Sequence, residues 1–273
     1  MLPKTIAIAL DNYLRQWSLV PAAEPFLTPT SCLQPVSYRG QPAMLKIAMC
    51  EEERRGNAVM AWWNGSGAAA RILARCDDAV VMERAESAGS LADLARTGRD
   101  DDAMRIACAV LGRLHAHTAP DQPPVVSLHD WFAPLTNPSW PRGNILWLAA
   151  LVAKKLLSAP ALDPVVLHGD MHHGNILHFG TQGWLAIDPK GLVGDRVFDY
   201  ANLLCNPSRR IAVDRFHERI GTLVEAARLD RHRLLQWTLA WSCLSALWMM
   251  EDGLAPETPL AIAALAATEL GLL

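Results

Sequence analysis

The sequence predicts an α+β protein of two unequal lobes: a small N-terminal antiparallel sheet with one helix, then a larger, mostly helical C-terminal lobe. Three observations carry this expectation. Residues 26 to 82 read as short apolar runs punctuated by turn residues, around one helical stretch. Beyond residue 90, apolar residues recur mostly at helical spacing. Between the two textures, Glu83 to Ser90 (ERAESAGS) is a small, polar connector.

The elements follow in order. Tyr38-Arg39-Gly40-Gln41 precedes Pro42-Ala43-Met44-Leu45-Lys46-Ile47-Ala48, which reads as strand, turn, strand. Residues 51 to 63 read as a helix. Glu51, Glu52 and Glu53 crowd its first turn, where the dipole favours negative charge, and Gly65 and Gly67 end it. Residues 71–73 and 79–82 resemble two more strands. A short helix is expected at 91–97 and a longer amphipathic one at 100–117, stopping before Pro120. Pro123, Pro124, Pro134, Pro138 and Pro141 mark a loop-rich passage. Another helix is expected over 144–157, and the last sixty residues give two or three more. The exception is 165–186, where strand-like pieces return. The expected division is 1–84 and 85–273, with a ligand cleft between the lobes.

Composition bounds the function without revealing it. The 273 residues are 51% hydrophobic and 19% charged, with a formal net charge of -3. That excludes a disordered chain. A pI near 6.3 argues against a nucleic-acid partner, which would leave a basic footprint. The six cysteines lie far apart, with no C-x-x-C, and read as core thiols of a reducing compartment. Ile6 to Leu10 is too short for a signal-peptide core, and Leu234 to Met250 is an interrupted 17-residue apolar window better suited to a buried helix. No membrane association and a cytoplasmic location are expected, and no protein partner is inferable.

The densest polar passage is Leu167 to Ala201, LHGDMHHGNILHFGTQGWLAIDPKGLVGDRVFDYA. Two strand-like runs flank Gly180-Thr181-Gln182-Gly183, a hairpin by its turn chemistry. Antiparallel strands lie about 4.8 Å apart, so Asn175 before the first strand and Asp188 after the second become neighbours beside the Asp170 loop. A carboxamide and a carboxylate are hard oxygen ligands that suit Mg²⁺. Asp170 remains available to accept a proton from an attacking hydroxyl, as phosphoryl transfer requires.

His168-Gly169-Asp170-Met171-His172-His173-Gly174-Asn175 resembles the catalytic loop of the aminoglycoside phosphotransferases, which share the protein-kinase-like fold. Ile187-Asp188-Pro189-Lys190-Gly191-Leu192-Val193-Gly194 resembles the metal segment of the streptomycin 6-kinase and hydroxyurea phosphotransferase branch. The resemblance implies ATP as co-substrate, Asp170 as catalytic base, and Asn175 and Asp188 as Mg²⁺ ligands. It makes Lys46 the lysine on the ATP α- and β-phosphates, with Glu53 as its carboxylate partner and Glu52 as fallback. The backbone at Glu83 and Ala85 would meet the adenine edge, and Asp199 would brace the catalytic loop. No G-x-G-x-x-G occurs over 26–41, so Ser31 and nearby amides are expected on the phosphates. Asp188 is followed by Pro189-Lys190 rather than Phe-Gly, which removes a phenylalanine-controlled switch.

Against these readings stand blander ones. Any single Asp or Asn here would serve as a cap or turn residue. Trp237, Trp241 and Trp248 fall at helical spacing and read as core. A zinc hydrolase built on His168, Asp170, His172 and His173 is the rival enzyme, although its H-x-H-x-D-H order is broken. Within the kinase reading, His168 packs the loop, and His172 and His173 face either substrate or the loop surface. The expected partner is a small, polar, hydroxylated acceptor, cationic if it is streptomycin, phosphorylated at its 6-hydroxyl, with hydroxyurea or another small metabolite as the alternative. A streptomycin site needs carboxylates for two guanidinium groups. Asp195, Glu251, Asp252 and Glu257 are the candidates, each equally suited to an exposed surface.

Overall fold

The computed structural model describes residues 2–85, 90–158 and 164–273. Of the expected connector, residues 86–89 lie outside the described ones.

The N-terminal sheet is antiparallel throughout. Val20–Pro21 and Phe26–Leu27 both pair with Ser31–Tyr38, which pairs in turn with Gln41–Ala48, then Ala79–Glu83, then the edge strand Ile72–Arg75. The turn joining the two long strands is Arg39-Gly40, both in the left-handed region at φ 51° and 79°, so the glycine meets a backbone demand. Side chains alternate along Gln41–Ala48. Ala43, Leu45 and Ile47 enter a small core with Leu10, Leu19, Val36 and Val81, while Met44 and Lys46 face the other way.

That small core needs a second helix the sequence reading did not assign. Lys4–Gln16 lays Ile6, Leu10, Tyr13 and Leu14 on the sheet, at the spacing of one helical face, with Trp17 stacked on Tyr13. The expected single helix is Glu51–Trp62, on the opposite face. It comes so close to the chain after Asp188 that a side chain at Gly56 would strike the Pro189 carbonyl. This close approach sets Glu52 and Glu53 over the site.

The helical part follows expectation in order: Leu91–Arg96, Asp100–His115, Ile145–Ser158, and three long helices near the end, Phe216–Ala227, Arg231–Glu251 and Glu257–Glu269. The proline-rich passage adds two single turns, Leu128–Trp131 and Ala133–Thr136. Leu234 to Met250 lies within the Arg231–Glu251 helix, most of whose residues are buried against its neighbours. No helix of the described residues is long and apolar enough to cross a membrane. All six cysteines are free.

Two small sheets carry the polar passage. Ile176–His178 pairs antiparallel with Trp184–Ala186 around a 3-10 turn at Gly180–Gln182. Leu192–Asp195 lies between Pro164–Leu167 and Val126–Ser127. Ala70 and Ala186 backbone groups tie the first of these to the N-terminal region, through Ala70 N–H to Ala186 O at 2.9 Å and Ala186 N–H to Ala68 O at 2.7 Å.

A buried ion pair anchors the floor. Arg219 donates to both oxygens of Asp100, at 2.8 and 2.6 Å, with neither side chain exposed. It also donates to the carbonyls of Leu203 and Asn206, which fixes the loop beneath the site. Arg215 adds a 3.0 Å contact to the same carboxylate, and these arginines hold Asp100 below the ordinary carboxylate range despite burial. Removing Arg219 leaves a buried charge with half its partners. Arg219→Ala should lose about 3–5 kcal/mol of unfolding free energy in a urea titration. A loss below ~1 kcal/mol would mean that Arg215 alone suffices.

Candidate active site

Two hollows of about 510 Å³ each open where the sheet meets the helical part. The first is lined on the sheet side by Ser31, Leu33, Met44, Lys46 and the Met82–Ala85 stretch, and opposite by Leu177, Phe179, Ile187 and Asp188. Thus Glu83 and Ala85, the expected adenine contacts, border it. The Glu83 carboxylate itself is turned aside, accepting from Arg71 N–H at 2.8 Å and Gln182 Nε2 at 2.8 Å. Ser31 also borders it, and its buried hydroxyl has no hydrogen-bond partner among the described residues.

Lys46 projects from the middle strand between two carboxylates, pairing with both Glu53 and Asp188. Glu53 therefore takes the position expected of the lysine's partner, steadied by Thr30 Oγ1 donating at 2.7 Å. Glu52, the fallback, pairs elsewhere, with Lys190 at 3.1 Å. Burial works against ionisation of Glu53 and Asp188, but the Lys46 ammonium outweighs it and holds both below the usual carboxylate range.

The hairpin does what its turn chemistry predicts. Ile187 N–H donates to Asn175 O at 2.9 Å, closing the open end and setting Asn175 beside Asp188. The Asn175 amide donates to the Asp170 carbonyl at 2.9 Å, and its own oxygen takes no donor among the described residues. One Asp188 oxygen meets Lys46, and the other is likewise without a donor. Asp188 sits in the left-handed region, φ 63°, an uncommon conformation for a non-glycine residue. Two hard oxygens unclaimed by protein donors fit a magnesium ion, which keeps most of its waters.

Asp199 is fully committed to the loop. Its oxygens accept from the His168 and Gly169 amides, both at 2.8 Å, and from His115 Nε2 at 2.8 Å. His168 is buried with Nε2 2.8 Å from the Ile187 carbonyl and Nδ1 receiving the Asp170 amide at 3.3 Å. This pattern needs the neutral ring, and burial lowers its pKa accordingly.

Asp170 stands at the end of this scaffold. Asn202 donates to its Oδ1 at 2.9 Å, and Asn206 orients Asn202 through the latter's carbonyl and amide oxygens. Burial pushes the Asp170 carboxyl up to about 7. Lys190 and Asn202 pull it down, and Asp188 and Glu52 push it up. Beside it, His172 lies with Nε2 4.0 Å from the carboxylate, its pKa brought down to about 4 by burial.

The second hollow extends from Asp170 and His172 to Glu251 and Asp252, with Glu52 on its rim and Trp131, Trp241 and Trp248 as walls. Trp131 and Trp241 pack edge-on against Trp248, at 5.2 and 5.6 Å between ring centres. The core reading holds for Trp237 and Trp241, which are buried, and Trp248 packs half-buried against the same core, while Trp241 and Trp248 also line this hollow. The sequence reading also missed Trp131, Asn202, Asn206 and Lys190. Only the last stood in a motif it had singled out.

Two expectations are overturned. Asp195 does not reach either hollow: it accepts from Val197 N–H at 3.0 Å and Trp237 Nε1 at 2.6 Å and pairs with Arg233, tying its strand to the Arg231–Glu251 helix. Glu257 is also outside, 3.9 Å from Arg209. The zinc hydrolase fails because the four side chains do not converge. His172 Nδ1 takes the Gly174 amide at 2.9 Å, and His173 is buried toward Asp100 and Arg219, away from Asp170. Among the described residues no group of three or more His, Cys, Asp or Glu could hold a metal.

Solved structures place this architecture in the protein-kinase-like phosphotransferase fold. The choline/ethanolamine kinase family protein of Mesorhizobium loti matches with a TM-score of 0.64, covering 96% of this chain and 93% of its own, at 16% identity. Sequence comparison narrows the class. The family described as aminoglycoside/hydroxyurea antibiotic resistance kinase matches residues 16–253, and the chain belongs to that family. It is 42% identical to the streptomycin 3''-kinase of Klebsiella pneumoniae over 88% of this chain and 92% of that one. With the streptomycin 6-kinase of Streptomyces griseus it shares 32% over 82% and 76%. The protein is a phosphotransferase with a hydroxyl acceptor.

The raised Asp170 pKa has a stability consequence. The unfolded carboxyl titrates near ~3.9, so between about pH 4 and 7 the folded chain holds the extra proton, and stability falls as pH rises. Asp170→Asn removes that charge and keeps an acceptor for Asn202. Its Tm should exceed the wild type's at pH 8 by a few degrees, roughly 2–4 °C per kcal/mol at this size. The difference should vanish below about pH 4. A lower Tm at pH 8 would show that the carboxylate is stabilising instead.

Proposed function

We propose that the chain is a streptomycin kinase, transferring the γ-phosphoryl group of ATP to a streptomycin hydroxyl. The observation that carries this is the second hollow. Glu251, Asp252 and Glu52 bring carboxylates, and three indoles bring π faces, to a cavity ending at Asp170. Cationic groups such as guanidiniums are held by that combination, bidentate on carboxylates and stacked on aromatic rings. A small uncharged acceptor such as hydroxyurea would leave Glu251 and Asp252 without counter-charges. The expected 6-hydroxyl yields to the 3''-hydroxyl as the preferred site, because the 3''-kinase is the more similar relative.

In this reading residues 1–84 form the ATP-clamping lobe and 85–273 the catalytic and acceptor lobe. Backbone groups at Glu83 and Ala85 meet the adenine edge, Ser31 and adjacent amides meet phosphate, and Lys46 neutralises the α- and β-phosphates. Asn175 and Asp188 would hold Mg²⁺, which when bound supplies charge neutralisation on the phosphates. Asp170 orients the acceptor hydroxyl and takes its proton as the new P–O bond forms and the bond to ADP breaks. Asp199 and His168 keep the loop in place for that geometry. ATP as co-substrate accords with a cytoplasmic location.

An ATP-consumption screen over streptomycin, other aminoglycosides, hydroxyurea and simple amino alcohols tests the reading, with NMR of the product locating the phosphate. Streptomycin should be the preferred acceptor, phosphorylated at 3''. Asp170→Ala should lower kcat by ~10³-fold or more while ATP binding persists, and Glu251→Gln with Asp252→Asn should raise KM for streptomycin by ~10-fold. Turnover confined to uncharged acceptors would refute the streptomycin assignment.

A further inference from the structure

Lys190 takes no part in the roles above, yet among the described residues it is the one side chain that lines both hollows. Its ammonium lies 3.1 Å from Glu52 Oε1, 3.8 Å from Glu53 Oε1 and 4.0 Å from Asp170 Oδ2. The backbone beneath it is pinned on both sides. Lys190 N–H donates to the His168 carbonyl at 2.7 Å, and its carbonyl accepts from Arg55 Nε at 2.9 Å. Both hollows are therefore separated, and joined, at one cation on a fixed stem.

A phosphoryl group passing from the nucleotide hollow to the acceptor hollow must cross that junction. In flight its charge is spread over three equatorial oxygens, and a preorganised cation there favours the transition state over either ground state. Lys46 is placed differently: it lines the first hollow alone and is shared by Glu53 and Asp188. Glu52, at the start of the Glu51–Trp62 helix, is the resting counter-ion of Lys190.

We propose that Lys190 is a further catalytic residue, whose ammonium contacts the equatorial oxygens of the transferring phosphoryl group. The inference rests on the reading that transfer runs between these two hollows toward Asp170. Lys190 keeps its proton throughout. The acceptor oxygen bonds to the γ-phosphorus, its proton passes to Asp170, and the electron pair of the broken bond leaves with ADP.

The test uses ADP with Mg²⁺, with and without aluminium fluoride, a mimic of the phosphoryl group in flight that needs no aminoglycoside. Calorimetry on the wild type, Lys190→Gln and Lys190→Arg should show ADP alone binding within ~3-fold in all three. The tightening produced by fluoride should fall by ~10²-fold in Lys190→Gln and recover in part in Lys190→Arg. That is the size expected for one transition-state donor. Single-turnover ATP hydrolysis by water should fall in parallel at every pH. Full tightening in Lys190→Gln would overturn the proposal. So would recovery of the wild-type hydrolysis rate at pH 9, which would reduce Lys190 to a modulator of Asp170's charge. Joint loss of ADP binding and Tm in both variants would overturn it too, as a purely structural tie. If wild-type ADP binding gains nothing from fluoride, the proposal falls together with the reading of transfer between the hollows. A streptomycin screen that fails while the fluoride effect holds would refute the acceptor alone.

Discussion

Four carboxylates, Glu52, Glu53, Asp170 and Asp188, converge on two ammonium groups, Lys46 and Lys190, at the meeting of sheet and helices. So many like charges in a half-buried cleft repel one another and lose hydration, and only close pairing makes them tolerable. The pairing is spatially divided. Lys46 satisfies the two acids of the first hollow, and Lys190 faces Glu52 and Asp170 of the second. Asp170 is left least compensated, and its carboxyl is pushed up to about 7, while Lys46 holds those of Glu53 and Asp188 down. The same constraint that costs stability therefore moves the Asp170 carboxyl toward neutral pH, a shift that clusters at functional sites.

Holding that arrangement takes scaffolding from distant parts of the chain. Asp199 spends both oxygens on the amides at the start of the Asp170 loop, and the neutral His168 ring links that loop to the end of the hairpin. From below, the buried Asp100–Arg219 pair fixes the carbonyls of Leu203 and Asn206, and the two asparagines of that loop lead to Asp170 Oδ1. From above, Gly56 lets the Glu51–Trp62 helix close on Pro189. Each contact is ordinary, but together they leave the Asp170 carboxylate little freedom.

The second hollow has a different character. It has no hairpin or tight turn to define it. Its walls come from the single turn at Leu128–Trp131 and from one face of the Arg231–Glu251 helix, and its acids come from that helix's last turn and the residue beyond. The shape of that hollow therefore depends on how helices pack.

Much of the site was legible because it is local. His168 to Asn175, the Gly180–Gly183 turn and Asp188 lie within about twenty residues, and turn chemistry with strand alternation is enough to bring them together. Lys46 and Glu53 were legible only through the family resemblance, because a strand lysine and an acid in the first turn of a helix are unremarkable by themselves. The Lys4–Gln16 helix went unassigned because its apolar face has meaning only once a sheet exists to cover. Asp195 looked like a free acid, and only the fold brought Trp237 and Arg233 to it. Trp241 and Trp248 sit at core spacing, and no periodicity distinguishes a helix face that meets another helix from one that meets a cavity. Local sequence pattern, with the family resemblance, thus determined from the sequence alone the two-lobed fold class and the placing of Asn175 beside Asp188. Which hollow each charged side chain faces, and Lys190 between the two, was decided by tertiary packing, because that depends on distances across the cleft that no local pattern encodes.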